Sequence, residues 1–234
     1  MKGERNSVLR RVTDLMRAAI LAGAMPGLLP SEYELQASYG ASRNVIRDAL
    51  SALRSEGFVE RHQGTGTFVV GQRFGHRVDK IEGFNPTDSG VELAREPVEF
   101  ALVEAAPIVR SMLGLAEGAQ AVMIERLTLA DGESASYWTS YLPPDLEDVM
   151  HRLGPTDSLH VVIGAVAESE VVEVRYSMSA GIATQPIAEV LRTVEGAPIL
   201  RHERLSILED GRAAEWAVGW ARGDRFTFHS VRRS

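Results

Sequence analysis

The chain has 234 residues, of which 44% are hydrophobic, 24% charged and 6% aromatic, a globular composition long enough for two modest domains. It contains no cysteine, which excludes disulfide scaffolds, cysteine zinc sites and thiol catalysis. The net charge of −7 hides an uneven split: residues 1–75 carry ten Lys and Arg against seven Asp and Glu, and the remainder carries fifteen against twenty-five. A basic head on an acidic body implies different partners for the two halves. No stretch approaches the roughly 18 apolar residues of a membrane span, and no signal-peptide core is present, so a cytoplasmic protein without membrane contact is expected.

From Val8 to Ala22 the apolar residues Val8, Leu9, Val12, Leu15, Met16, Ala19 and Ile20 recur at three and four, the spacing of one helix face. Gly23 and Pro26-Gly27 end it. Ser31 followed by Glu34 is a capping box that starts a short second helix, broken at Gly40. Ser42 is the expected N-cap of a third helix, with Val45, Ile46, Ala49, Leu50 and Leu53 as its buried stripe. Arg43, Asn44, Arg47 and Ser51 lie off that stripe. A helix, a tight glycine turn and a second helix opening on Arg-Asn-x-x-Arg have helix-turn-helix spacing. Phe58 to Arg61 and Gly66 to Val70 read as two strands around His62-Gln63-Gly64-Thr65, a hairpin whose glycine-rich tip can press its backbone against a phosphate or a minor groove. Arg43 and Arg47, one turn apart, reach the same groove, where Arg reads guanine bidentately and Asn44 can pair with adenine. The helix N-terminus favours phosphates as well.

Three strings carry a resemblance: Leu29-Pro30-Ser31-Glu32-x-Glu34-Leu35, Ser42-Arg43-x-x-x-Arg47-x-Ala49-Leu50-x-x-Leu53, and Glu56-Gly57-x-Val59-x-Arg61-x-Gln63-Gly64-x-Gly66-Thr67-Phe68-Val69. Over residues 8–70 they resemble the winged helix-turn-helix signature of GntR-type bacterial transcription regulators. The resemblance implies that Arg43 and Arg47 contact operator DNA and that the turn Gln63-Gly64-Thr65-Gly66 enters the minor groove. Tyr33 stands where relatives often place a basic or polar residue, although its hydroxyl can still meet a phosphate. The DNA-binding candidates are Ser31, Tyr33, Ser42, Arg43, Asn44 and Arg47 on the helices, with Gln63, Gly64, Thr65, Gly66 and Thr67 on the wing.

Residues 71–90 are rich in turn formers. The expected layout is therefore a winged helix over 1–72, a linker and entry loop over 73–90, and a second domain over 91–234. In that domain Val98 to Val109, Ala121 to Ala130, Ala135 to Leu142 and Val171 to Ser179 read as strands, as do Ile199 to Leu208 and Ala214 to Ala221. Asp131-Gly132 and Asp210-Gly211 are hairpin turns, and the stretch from Ile187 to Leu191 is a short helix. Such hairpins with a few helices predict an α+β domain built on an antiparallel sheet.

Further strings occur in order behind the winged helix: Glu125-Arg126-Leu127-x-Leu129-Ala130-Asp131-Gly132, Ser140-Tyr141-Leu142-Pro143, Glu195-Gly196-Ala197-Pro198-Ile199-Leu200, Asp210-Gly211-Arg212-x-x-Glu215 and Arg222-Gly223-Asp224-Arg225-Phe226. They resemble the UTRA domain of the HutC branch of GntR regulators. The implied fold is an antiparallel sheet flanked by helices, similar to chorismate lyase, with an effector pocket and a dimer interface. Alternation puts Arg126 with Thr128, Trp138 with Ser140, and Glu215 with Gly219 and Ala221 on common faces. The resemblance implies effector contact at Arg126 and Glu215. The candidate effector set is Arg126, Thr128, Trp138, Ser140, Tyr176, Glu215 and Trp220. Members that sense amino-sugar phosphates usually carry a basic residue, a carboxylate and a tyrosine where this chain has Thr128, Trp138 and Ala221. The difference points to an effector that is flatter or more apolar, and still anionic because Arg126 remains.

Other roles for these residues stay open. Arg126 can pair with Glu215 or Glu125, Trp138, Trp216 and Trp220 can be core, and Asp224 can pair with Arg225. The six histidines (62, 76, 151, 160, 202 and 229) lack metal-ligand spacing, leaving only His202 and His229 to meet in space, so neither cofactor nor metal is expected. The function expected is a ligand-responsive DNA-binding regulator, a repressor acting as a homodimer on a palindromic operator. Two alternatives are an enzyme of chorismate-lyase-like fold and an effector-independent DNA-binding dimer. The first lacks a nucleophile–base set, a metal cluster and a phosphate loop, so no enzyme is expected.

Overall fold

The N-terminal apolar stripe lies on helix α1 (Lys2–Leu21), which begins six residues before the expected start at Val8. Residues 2–7 carry no apolar periodicity, so the pattern alone does not show them as helix. The computed structural model describes residues 2–70, 74–77 and 92–229, and the chain divides into two units, Met1–Arg73 and Phe74–Ser234. Among the described residues no helix is long and apolar enough to cross a membrane.

In the first unit, α2 (Glu32–Tyr39) starts with the expected capping box and ends at Gly40, whose φ of +58° favours glycine. The Ser31 hydroxyl accepts from the Glu34 amide at 3.3 Å, and the Ser31 amide donates to the Glu34 carboxylate at 2.8 Å. Helix α3 (Arg43–Ser55) follows. Ser42 holds the expected N-cap position, with its carbonyl accepting from the Ile46 amide at 3.1 Å, but makes no side-chain capping bond and stays exposed. Met16, Ile46, Ala49 and Leu53 are fully buried with Leu35, Phe58 and Val59 around them. Each of the larger of these side chains stabilises the unit by about 1.5–3 kcal/mol. Strands β1 (Val59–His62) and β2 (Gly66–Val69) pair antiparallel. Leu28 bridges Phe68 on the outer edge, which ties the wing to the turn before α2.

In the second unit, β3 (Phe74–Arg77) pairs in parallel with β10 (Phe226–His229). Part of the stretch expected to be linker is therefore a strand, and the rest of it from 78 to 90, like residue 73, lies outside the described residues. The main sheet has six antiparallel strands: β4 (Leu93–Glu104), β5 (Gln120–Ala130), β6 (Glu133–Leu142), β7 (Val171–Ile182), β8 (Pro198–Leu208) and β9 (Ala213–Arg222). Their order is β4-β5-β6-β9-β8-β7. The β5–β6 turn at Asp131-Gly132 has φ of +50° and +78°, matching a primed hairpin turn.

Helix α4 (Pro107–Leu113) replaces the end of the strand expected to run to Val109. Pro107 lacks the amide a ladder needs and sits where a helix start tolerates it. Helices α5 (Val149–Arg152), α6 (Leu159–Ala167) and α7 (Gln185–Val190) complete the unit. Helix α4 packs with Trp216, and α7 with Leu127, Tyr137 and Trp220, on one face of the sheet. The opposite face packs α6 and, near Ala221, β10.

Candidate DNA-binding face and effector cavity

In the first unit a groove runs between α3 and the wing. The helix contributes Asn44, Arg47, Ser51 and Arg54, and the wing contributes Arg61, His62, Gly64, Thr65, Gly66 and Thr67, with Ser31 at the margin. Gly64 has φ +80° and Gly66 +131°, and a Cβ at Gly66 would fall 2.6 Å from Leu28 Cδ1. The wing tip thus needs glycine for its backbone conformation, whereas the exposed Leu28 side chain could move aside. Arg43 and Arg47 project outward with 72% and 59% of their side chains exposed, and Glu32 lies 3.1 Å and 4.0 Å from their Nε atoms. This carboxylate holds the two guanidinium groups side by side in the free protein. Tyr33 is 79% exposed, and Ser42 and Gln63 are exposed beyond the groove walls.

The second unit holds a cavity on the α6 and β10 side of the sheet, with an empty volume of about 730 Å³ out to its open mouth. Its charged and polar lining comes from Arg95, Arg126, Arg204, Thr128, Ser136 and Ser140, with Ser158 and His160 from the start of α6. Its apolar lining comes from Trp138, which stands opposite Arg126 in the β5–β6 register, and from Leu159, Ala221, Phe226 and Phe228. The Trp138 indole lies on Gly219, where a Cβ would come 2.5 Å from the ring. A side chain there would lift the indole into the cavity. Behind it, His202 is fully buried, 5.4 Å from Trp138 and 4.6 Å from Phe228 between ring centroids. Neither ring nitrogen of His202 has a hydrogen-bond partner among the described residues. Burial, aided by Arg204, pushes its pKa down to about 4, so the ring is neutral.

Glu215 is wholly buried and serves the cavity from beneath. Arg204 donates to it through Nε at 2.9 Å and Nη2 at 2.6 Å. Ser140 and Ser206 donate at 2.7 Å and 2.9 Å, and His160 Nε2 lies at 3.2 Å. Burial works to raise the Glu215 pKa, but Arg204 and His160 outweigh it and hold the carboxyl well below its usual range. Burial likewise works to lower Arg204, which Glu215 and Tyr176 raise instead. The guanidinium lies 4.7 Å over the Trp138 ring, a cation–π contact.

Arg126 is the exception in this network. It pairs with neither Glu215, which is taken by Arg204, nor Glu125, which accepts from Thr139 at 3.1 Å. Its Nη1 is buried without a hydrogen-bond partner among the described residues. Burial first, then the cations Arg95 and Arg204, push its pKa down to about 10, so at neutral pH it is a cation held against a cost.

The structure brings Arg126, Thr128, Trp138 and Ser140 together on the cavity. Trp220 lies on the opposite face: position 220 is out of phase with 219 and 221, and its ring stacks on Tyr137 at 6.0 Å near α7. Glu215 and Tyr176 do not line the cavity. Tyr176 stands opposite Arg204 in the β7–β8 register, so both act behind Arg204. Asp224 pairs with Arg222 at 2.7 Å rather than with Arg225. The side chain of His229 lies outside the described residues. Sequence reasoning missed Arg95, Arg204, Ser136, Ser158, His160, Phe226 and Phe228. For Ser136 the signal existed, since it is in phase with Trp138 and Ser140. The others reach the cavity through strand order and helix docking.

Such a basic helix and wing, with a separate cavity for a small molecule, belong to a ligand-responsive DNA-binding transcription regulator. Residues 88–227 match the family model described as the UTRA domain, and residues 9–69 match that of the gntR family of bacterial regulatory proteins. The chain belongs to the GntR-type regulators that carry a UTRA domain. It is 27% identical over 202 residues to the HTH-type transcriptional repressor NagR of Bacillus subtilis, covering 86% of this chain and 83% of that protein. It is 25% identical over 232 residues to the mannosyl-D-glycerate transport/metabolism system repressor MngR of Escherichia coli, covering 96% of each. The crystal structure of PhnF from Mycobacterium smegmatis shares the fold with a TM-score of 0.69 at 23% identity, over 95% of this chain and 99% of that one.

Proposed function

We propose that the protein is a cytoplasmic, homodimeric repressor, not an enzyme, and that a small anionic effector with a flat or apolar part releases it from a palindromic operator. Arg43, Asn44 and Arg47 read the major groove, Ser31, Tyr33 and Ser42 meet phosphates beside it, and the wing from Gln63 to Thr67 enters the minor groove. In the second unit Arg126 holds the anion, Thr128 adds a hydroxyl, Ser140, whose proton goes to Glu215, offers the ligand an acceptor only, and Trp138 packs on the flat part. The observation that carries this reading is Arg126, whose buried Nη1 has no hydrogen-bond partner among the described residues, beside the aromatic rings of the cavity. Phe226 and Phe228 belong to β10, which is bonded to β3, and β3 follows the DNA-binding unit directly in the chain. A ligand that repositions the two phenylalanines therefore pulls on the segment leading to the winged helix. The effect on DNA can be no larger than the ligand's preference between the two arrangements.

The test is fluorescence anisotropy with the DNA upstream of the protein's own gene, with and without a metabolite mixture. Tight binding that falls steeply with salt, relieved by part of the mixture, is expected. Arg43→Ala with Arg47→Ala should abolish it, since each bidentate base contact is worth about 1–3 kcal/mol. Unchanged affinity in the double variant would refute the recognition-helix assignment.

A further inference from the structure

Among the described residues, three guanidinium groups and two carboxylates act on one another around the cavity. Among the described residues, the charged groups acting on Arg126 are the guanidinium groups of Arg95 and Arg204 and the carboxylates of Glu215 and Asp157, so guanidinium groups outnumber carboxylates by one. Glu215 is saturated by Arg204, Ser140, Ser206 and His160. Asp157 is engaged by the Gly154 amide at 2.8 Å, and Arg95 donates to the Thr156 carbonyl at 3.1 Å. The remaining demand is one negative charge at the Arg126 guanidinium, whose planar fork of N–H donors matches a carboxylate. A phosphate monoester carries nearly two charges at pH 7 and would be undercompensated in a cavity with one in excess.

The apolar part of the lining selects the rest of the molecule. Trp138 lies flat because Gly219 has no side chain, and Phe226 and Phe228 stack at 5.8 Å with 17° between their planes. Neutral His202 behind them brings no further charge. Such a lining favours a π-face or a hydrocarbon over a hydroxyl-rich sugar, whose polar groups it would leave unpaired.

Resting on the reading of this cavity as the effector site, we propose that its ligand class is an aryl or arylalkyl monocarboxylate, with the carboxylate on Arg126 and the ring between Trp138 and the phenylalanines of β10. The discrimination is between acid and neutral isostere, and between carboxylate and phosphate.

The experiment titrates the full-length protein with phenylacetate, benzoate and indole-3-acetate, and with phenylacetamide, glucosamine 6-phosphate and inorganic phosphate. Heat of binding and the thermal midpoint are the readouts. At least one carboxylate should bind, and for phenylacetate the amide should be at least about tenfold weaker, as expected for a lost charge-assisted hydrogen-bonded contact. In Arg126→Gln the acid and the amide should bind within about twofold of each other, while Arg126→Lys keeps part of the preference. A thermal melt of each variant shows whether it is folded. Equal binding of acid and amide by the native protein overturns the proposal, as does tighter binding of either phosphate. If none of the carboxylates binds while a metabolite extract still releases operator DNA, the ligand class is wrong and the repressor reading stands. If no extract releases the DNA, that reading fails with it.

Discussion

Replacing Glu215 by Gln removes one charge and almost no volume, at the point where the cavity wall is held together. The carboxylate is completely buried and compensates Arg204, whose side chain is only 13% exposed. Without it Arg204 becomes a second uncompensated cation beside Arg126, and the amide nitrogen must find a place among Ser140, Ser206 and His160. Breaking a buried ion pair from one side costs about 3–5 kcal/mol. For a chain of this size each kcal/mol moves the thermal midpoint by about 2–4 °C, so a fall of about 10 °C is expected. Domains are typically stable by about 5–15 kcal/mol, which leaves the variant folded but weakened. Urea unfolding of the full chain at pH 7, followed by tryptophan fluorescence, measures this directly. The sign with acid also follows. Since Glu215 lies well below its unfolded value of 4.5, its contribution is complete above about pH 4.5 and is lost as pH falls through the folded value. The gap between native protein and variant should therefore narrow in acid. A second readout has the opposite sign: the added positive charge should tighten phenylacetate binding while stability falls. A variant within about 1 kcal/mol of the native protein at pH 7 would refute the view that Glu215 is the counter-ion of this wall.

Arg126→Gln should raise the stability of the unliganded protein, because depressing this cation from 12.5 to about 10 corresponds to a cost of up to about 3 kcal/mol at neutral pH. A lower denaturation midpoint would mean that its charge is already balanced. His202 has a folded pKa of about 4 against 6.5 unfolded. Its neutral burial therefore contributes fully above pH 6.5, and about 3 kcal/mol of stability is lost as pH falls from 6.5 to 4. His202→Leu should flatten stability over that window, and an unchanged pH slope would contradict the assignment. Gly219→Ala should push the Trp138 indole into the cavity, given the 2.5 Å collision. Phenylacetate binding should fall at least about tenfold with the chain still folded, since overpacking typically costs about 1–3 kcal/mol; retained binding would show that the indole yields elsewhere.

Much of the local architecture was legible because its causes are local. The Ser31–Glu34 capping box, the stripe from Val45 to Leu53, the Gly64 and Gly66 wing tip and the Asp131-Gly132 turn depend on neighbours within a few residues. Alternation likewise placed Arg126 and Thr128 together, and Trp138 with Ser140. It also separates Trp220 from Gly219 and Ala221, which puts it on the face away from theirs, while the docking of α7 on that face is tertiary. What alternation cannot supply is the order of strands. The sequence β4-β5-β6-β9-β8-β7 brings Arg95 beside Thr128 and sets Arg204 and Ser206 against the β9 segment that carries Glu215. Only that arrangement decides that Glu215 is consumed by Arg204 and that, among the described residues, Arg126 Nη1 is left without a hydrogen-bond partner. Docking of α6 and the β3–β10 pairing similarly decide that His160, Phe226 and Phe228 reach the cavity. A residue's periodicity specifies its face, whereas charge balance and ligand chemistry arise from contacts between strands and helices far apart in the chain.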